Sequence, residues 1–432
     1  MSVGVHRLRE EPDVLRRGAT DKGEDAALVD RAIELDERRR TLLGRADGRK
    51  AERNDASKQI GEAIRSGADP ASPEVAALKE ASTALGTRID ALDAELATVE
   101  AKLEDAMLRI PNPADPDVPV GGEEANVTVR TWGEPAAADG RRPHWEIAED
   151  LGLIDMVRGA KVAGSGFPVY LGDGSALQRA LINWFLDVHT VEHGMTEVWP
   201  PAVVNADSAR GTGQIPDKED QMYIVTRDDL YLVPTAEVPV TNLHRDEILD
   251  ARSLPIRYAA YSPCFRREAG AAGRDTRGIM RVHQFDKVEM VSFVRPEDSE
   301  AELEWLTERA EVLLQRLGLA YRVLLMSTGE MGFVQSRKYD LEVWAPGAER
   351  WLEVSSVSNF RDYQARRMAI RYRPEPGASP ELVHTLNGSG LALPRTMAAL
   401  IESHQQPDGS VLVPEPLRPY LAGRERIGPA TA

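Results

Sequence analysis

The sequence predicts an α+β protein: a long amino-terminal antiparallel helical hairpin, then a body built on an antiparallel β-sheet flanked by helices. Three observations carry this. Over residues 75–110 apolar side chains recur at heptad spacing. Residues 110–124, IPNPADPDVPVGGEE, then hold four prolines and two glycines, the composition of a linker. Beyond them short strand-like runs alternate with isolated amphipathic stretches, without the regular β-α repeats of a doubly wound fold. The expected domains are therefore a helical arm over 1–110, a linker over 111–130 and a body over 131–432.

Composition bounds the function. The 432 residues, 42% of them hydrophobic, suffice for two or three domains with a sizeable core. A formal charge of -17 counts against a wholly basic nucleic-acid binder but leaves room for a local basic patch. Cys264 is the one cysteine, which excludes an internal disulfide framework and a multi-cysteine zinc cluster, so no structural zinc is expected. No apolar run approaches the roughly 18 residues of a membrane span. The first ten residues are already charged and form no signal-peptide core. The expectation is a cytoplasmic protein without a membrane segment.

The first arm helix, from 28 to about 65, has few large apolar residues, among them Ile33, Leu35, Leu42, Leu43, Ile60 and Ile64. SGADPASP follows, where Gly67, Pro70 and Pro73 can end one helix and begin the next. In the second helix Val75, Ser82, Ile89, Leu96, Leu103 and Ile110 make one series; Leu78, Leu85, Leu92, Val99 and Ala106 make another, displaced by three. These are the a and d positions of a coiled-coil seam. The first helix answers in part, with Leu35, Leu42, Ala46, Ala56, Ile60 and Ala63. At about 35 residues each helix spans on the order of 50 Å. Residues 31–65 hold ten basic residues against seven acids, and residues 73–109 hold four against eight. Two readings stand: a solvated coiled coil for dimerisation or spacing, or an arm whose first helix touches a phosphate backbone.

In the body, residues 175–193 predict an amphipathic helix with Leu177, Leu181, Trp184, Phe185 and Val188 on its buried side and Gly194 at its end. It carries more large apolar residues than a short exposed helix needs, which points to a homodimer. A strand over 196–199 meets Pro200 and Pro201. Further strands are expected over 222–225 and 230–233, joined through Asp228 and Asp229, then 256–268, 280–293, 339–344 and 351–356, with a last helix over 394–404. GxGxxG opening a β-α unit, GxxxxGK[ST], HExxH and G-x-S-x-G are all absent. His189 and His193, four apart, read as surface or interface histidines rather than metal ligands.

The polar constellation lies in residues 261–293, YSPCFRREAGAAGRDTRGIMRVHQFDKVEMVSF. Arg266, Arg267, Arg274, Arg277, Arg281 and Lys287 stand there against Glu268, Asp275 and Asp286, with Gly270, Gly273 and Gly278 between. Strand alternation places Arg266 with Glu268, and Arg281, His283, Phe285, Lys287 and Glu289 together. Lining a cleft, such a face holds phosphates with its arginines, covers a purine with Phe285 and receives a small polar or cationic group at Glu289; otherwise it is a solvated hairpin. Glu237, near Thr235, suits an ammonium group. Glu353 and Ser356 suit a Mg²⁺ carried by nucleotide phosphates. Asn387, Ser389 and Arg395 complete the set, Arg395 entering from a first helical turn that opens with Pro394.

The strings PTAEVPVTNLHRDEIL, CFRREAG, GRDTRG, HQFDKVEM, YDLEVWAP, VSSVSNFRDYQARR and LNGSGLA, in this order and behind a coiled-coil arm, resemble the bacterial seryl-tRNA synthetases, class II aminoacyl-tRNA synthetases, over essentially the full length. The resemblance implies a class II catalytic domain, activation of L-serine by ATP to seryl-adenylate, and transfer to the terminal adenosine of tRNA(Ser), and of tRNA(Sec). It places motif 1 at Pro200 and Pro201 on a homodimer interface, motif 2 at 261–293 and motif 3 at GSGLALPR. It implies that Arg266 bridges the serine carboxylate and α-phosphate, that Glu268 holds the adenine amino edge, that Phe285 and Arg395 sandwich the ring, and that Arg281 approaches the γ-phosphate. Arg267 and Val282 join the ATP set, and Glu353 and Ser356 the Mg²⁺ pair. Thr235, Glu237, Glu289, Asn387 and Ser389 line the serine pocket. The arm would recognise the long variable arm of tRNA(Ser). The chain departs from the family pattern at Glu330, at Gln335 and over 212–222, TGQIPDKEDQM, changes expected in the second layer of the pocket. A paralogue serving antibiotic resistance or loading serine onto a non-tRNA acceptor, and a non-enzymatic coiled-coil protein, are the alternatives.

Overall fold

The computed structural model describes residues 3–269 and 277–428, which form two compact units, Met1–Pro111 and Asn112–Ala432. Gly270, Gly273, Arg274 and Asp275, with most of GRDTRG, lie outside the described residues.

In the first unit α1 (Val5–Glu10) and α2 (Pro12–Asp21) precede two long helices, α3 (Ala27–Arg65) and α4 (Pro73–Leu108). The chain leaves α3 through Gly67, whose φ of +94° suits a residue without Cβ. Ser72 then caps α4 by accepting from the Val75 N–H, with Pro73 in the first turn. The seam follows the heptads: Val75, Ile89, Leu92, Val99, Leu103 and Ala106 are buried, and Leu92 and Val99 cluster with Leu42 and Ala46 of α3. Charges also cross the seam, Arg39 to Glu100 at 3.1 Å and Lys50 to Asp93 at 3.2 Å. The heptad pattern does not extend to α1 and α2. They pack on α3 through buried Leu8, Leu15 and Ala19, and Arg9 forks onto the buried Asp36 at 2.7 and 2.8 Å.

The second unit centres on an eight-stranded sheet: β1 (Val127–Trp132), β2 (Thr196–Val198), β3 (Ile256–Phe265), β4 (Gln284–Val294), β5 (Tyr321–Leu325), β6 (Arg337–Ala345), β7 (Arg350–Asn359) and β8 (His384–Ala392). Their order across the sheet is β1-β5-β6-β7-β8-β4-β3-β2, antiparallel except for the β2–β3 pair. Helices α5 (His144–Asp150), α6 (Gly172–Asp187), α7 (Ser299–Arg316) and α8 (Leu393–His404) pack around it. The core joins Leu177, Trp184 and Phe185 of α6, Leu306 and Leu313 of α7, and Met397 and Ile401 of α8 to Val288 and Met290 of β4. Among the described residues, no helix is long and apolar enough to cross a membrane.

Several expectations change. The segment expected as a linker is part of the body from Asn112 onward. The Asn112 amide donates to the Val334 and Phe360 carbonyls, Asp115 pairs with Arg361 at 2.7 Å, Val118 joins Leu324 and Met331, and β1 pairs with β5. Its prolines and glycines fit extended chain laid on a surface as well as they fit a free tether. The strand expected to reach 268 ends at Phe265, and the one expected from 280 starts at Gln284. The apolar face of α6 is wholly used by its own core, so that helix gives no ground for a homodimer. His189 is fully buried rather than at the surface: Nε2 meets the Gly390 carbonyl at 3.1 Å and Nδ1 meets His193 at 3.1 Å. Burial pushes its pKa down to about 3, which keeps it neutral. Strands β5 and β8 and helix α7 were not foreseen; β8, rich in glycine and polar residues, looks like a loop in sequence but is buried between β7 and β4.

Candidate active site

One cavity of about 460 Å³ opens on a face of this sheet. Strand β4 sends Phe285, Lys287 and Glu289 to it by simple alternation. On β7 alternation alone would part Glu353 from Ser356. The register slips there: Leu341 faces Ser355 but Glu342 faces Glu353, leaving Val354 as an extra residue. This bulge brings both Glu353 and Ser356 to the cavity. Strand β8 contributes Asn387 and Ser389, and the first turn of α8, with Pro394 at its start, contributes Arg395.

At one end carboxylates and amides form a closed, buried network. Asn387 Nδ2 donates to Glu237 Oε2 and Glu289 Oε1, both at 3.0 Å. Thr235 Oγ1 donates to Glu289 Oε2 at 3.1 Å and accepts from Lys287 Nζ at 2.9 Å, and Lys287 is ion-paired with Glu289. Gln364 Nε2 donates to Glu237 Oε1 at 2.7 Å. Burial, with Glu289 nearby, pushes the Glu237 carboxyl up to about 7. A carboxyl at that pKa is only partly charged near neutral pH.

At the other end the groups are cationic. The Arg266 guanidinium lies 5.1 Å from the Phe285 ring centroid. Arg281 pairs with Glu268 at 2.6 Å. Arg395 donates to the Met280 and Glu353 carbonyls at 3.1 and 3.0 Å and sits 3.3 Å from Glu353 Oε2. Burial would raise the Glu353 pKa, but Arg395, Lys338 and Arg266 outweigh it and hold the carboxyl below its ordinary range. Asp340, opposite Ser356 in the register, is pushed up to about 7 by burial despite Lys338 at 3.0 Å.

Of the residues singled out in sequence, Thr235, Glu237, Arg266, Glu268, Arg281, Val282, Phe285, Glu289, Glu353, Ser356, Asn387, Ser389 and Arg395 all line this cavity. Arg267 does not: it is exposed and straps the 219–221 turn, donating to the Asp220 and Gln221 carbonyls. His283 turns away too, stacking on Phe167 at 5.3 Å, because the regular strand has not yet begun. Arg266 and Glu268 converge through a turn, with Glu268 at φ +51°, not by strand alternation. Glu330 and Gln335 line the cavity directly instead of standing behind it. Sequence reasoning missed Lys218, Gln364 and Lys338. Lys218 belongs to the atypical 212–222 segment and lines the cavity from an exposed position.

Residues 4–114 match the family model of the seryl-tRNA synthetase N-terminal domain, and residues 223–404 that of the tRNA synthetase class II core domain (G, H, P, S and T). The serine–tRNA ligase of Thermomicrobium roseum is 55% identical over 99% of this chain and 95% of its own. The chain belongs to the serine–tRNA ligase family. That of Gemmatimonas aurantiaca is 51% identical over 96% of this chain and 98% of its own. Among solved structures, the seryl-tRNA synthetase of Pyrococcus horikoshii complexed with ATP superposes with a TM-score of 0.92 at 37% identity, over 99% of this chain and 100% of that one. As a serine–tRNA ligase the chain is an ATP-dependent enzyme that activates serine and passes it to tRNA(Ser). The match runs through the catalytic core as well as the arm, which speaks against the non-enzymatic coiled-coil reading.

Proposed function

We propose that the cavity holds serine at its carboxylate end and ATP at its arginine end, so that the two reacting groups meet near Arg266. The observation that carries this is the polarity of one continuous cavity, with Glu237 and Glu289 at one pole and Arg266, Arg281 and Arg395 at the other. Glu237 receives the serine ammonium, and Glu289 with Ser389 grips the hydroxyl. An analogue lacking that hydroxyl would leave buried polar groups unpaired. ATP replaces the Arg281–Glu268 pair with contacts to its γ-phosphate and adenine edge, and the ring lies between Phe285 and Arg395. The serine carboxylate attacks the α-phosphorus in line; the bond from that phosphorus to the bridging oxygen breaks, and pyrophosphate leaves. Positioning and neutralisation of phosphate charge do the catalysis, with Arg266 set where charge develops.

Glu353 and Ser356 would hold a Mg²⁺. The fit is chemical: an ionised carboxylate and a hydroxyl on one face, beside Asp340, whose Oδ1 is buried without a hydrogen bond. Among the described residues no three His, Cys, Asp or Glu are grouped so as to hold a metal ion; with two protein ligands, phosphate and water oxygens would complete the shell. Bound there, the ion supplies further neutralisation of phosphate charge.

The arm reads the long variable arm of tRNA(Ser). Arg31, Arg45, Arg53 and Lys58 of α3 are exposed and available to phosphates. The same reading extends to tRNA(Sec) and to a cytoplasmic enzyme. The body forms a homodimer, to which Trp199, 76% exposed beside Pro200 and Pro201, offers apolar surface. A single monomeric mass in sedimentation at micromolar concentration, with full activity, would refute the dimer. The decisive experiment for the reaction gives the purified chain ATP, labelled serine and total bacterial tRNA, with pyrophosphate exchange alongside to separate activation from transfer.

A further inference from the structure

A buried pair that none of these steps uses stands behind the ATP end of the cavity. His144, opening α5, and Glu402, near the end of α8, are both fully buried. Their Nδ1 and Oε1 are 2.7 Å apart, and the His144 backbone N–H donates to the same oxygen at 2.9 Å. Glu402 Oε2 accepts from the Gly347 and Ala348 N–H groups, each at 2.9 Å. Across the ring, the Ile279 N–H donates to His144 Nε2 at 3.3 Å. That donor decides the tautomer. Nε2 must present a lone pair, so the proton sits on Nδ1 and is donated to Glu402.

The contact also explains Gly278. Its φ is +63°, and a Cβ there would stand 2.3 Å from His144 Nε2. One residue beyond Ile279, the Met280 carbonyl accepts from Arg395 Nε at 3.1 Å, and Arg281 and Val282 then line the cavity. The limb 278–282 is thus pinned at two successive residues, both times from α8: directly by Arg395, and through His144 by Glu402. The serine-end ligands Thr235, Glu237, Asn387 and Ser389 come from other segments.

We propose that His144 is a positioning residue for the nucleotide. It touches no substrate; it transmits the fixed position of Glu402 to the backbone that presents Met280, Arg281 and Val282 to ATP. The inference rests on the assignment of that wall to ATP. The test is serine-dependent pyrophosphate exchange by the full-length chain, with KM for ATP and for serine measured separately. His144→Asn keeps an N–H near the Nδ1 position for Glu402 and removes the acceptor for Ile279. It should raise KM for ATP about tenfold, the scale of one buried donor left unmet, while KM for serine stays within about twofold. His144→Gln, whose longer amide reaches the Nε2 position, should restore most of the ATP affinity. An unchanged KM for ATP, or equal rises for both substrates, would overturn the proposal. Wild-type chain without serine-dependent exchange would instead overturn the assignment of the cavity. A measurement on the wild type stands apart from any variant's folding: the Ile279 amide should exchange its hydrogen at least about a hundredfold slower than open chain before ATP is added, and exchange at the open-chain rate would also overturn the proposal.

Discussion

The arm and the body solve the same problem, bringing distant residues together, by opposite means. In the arm the contacts repeat: Leu92 and Val99, seven apart, meet Leu42 and Ala46, and Lys50–Asp93 and Arg39–Glu100 cross the same seam. Each contact follows from local period plus one turn. In the body nothing repeats. Glu237, Glu289 and Asn387 share one network only because a short helix, β4 and β8 converge. A periodic structure tolerates the loss of a part, whereas a convergent site depends on each of its members.

Removing the arm is the severest way to test this division. Replacing residues 30–108 with a short linker should leave serine-dependent pyrophosphate exchange within about threefold of wild type, because the cavity belongs entirely to the second unit. Serylation of tRNA should fall by about a thousandfold as phosphate contacts are lost. Equal loss of both activities would show that the units are not independent. Within the body, Arg266→Lys should slow single-turnover adenylate formation about a hundredfold, or roughly 3 kcal/mol, because an ammonium cannot reproduce the planar fork. A near-wild-type rate would show that this arginine has been misplaced.

The convergent site also predicts a pH dependence that the arm lacks. The Glu237 pKa is raised to about 7 by burial and by Glu289, so the carboxyl of the free enzyme is neutral below that value and charged above it. Since the charged form binds an ammonium, kcat/KM for serine should fall about tenfold per pH unit below roughly 7. Glu237→Gln should be slow and flat across the same range. A wild-type profile level down to pH 5.5 would remove Glu237 from amine binding. The smallest effect belongs to the arm. Arg39→Ala breaks a partly exposed pair with Glu100 and should cost less than about 1 kcal/mol in urea unfolding; a loss several times larger would mean that the seam depends on its charges more than on its apolar residues.

How far the site was legible follows the same division. Arg266, Glu289 and Arg395 announce themselves as a charged set around glycine-rich chain. Lys287 stood on the right face in sequence, yet nothing there showed that its ammonium ties Thr235 to Glu289. Arg267 carries the same charge as Arg266, and one step along the backbone sent it to the Gln221 strap instead of the cavity. Gln364 reaches Glu237 from 127 positions away, a distance no local pattern encodes.

The sequence by itself determined the hairpin, its heptad seam, the turn at Gly67, Pro70 and Pro73, and the residue types of the cavity. These are properties of neighbours along the chain, where period and dihedral preference act. The tertiary structure decided which way those residues point. The bulge at Val354 puts Glu353 and Ser356 on one face; the core of the body claims the apolar side of α6 that looked like an interface; and His144 meets Glu402 from 258 positions away. The physical reason is that register, burial and tautomer are set by whatever packs opposite, and that partner is chosen only when the whole sheet has formed.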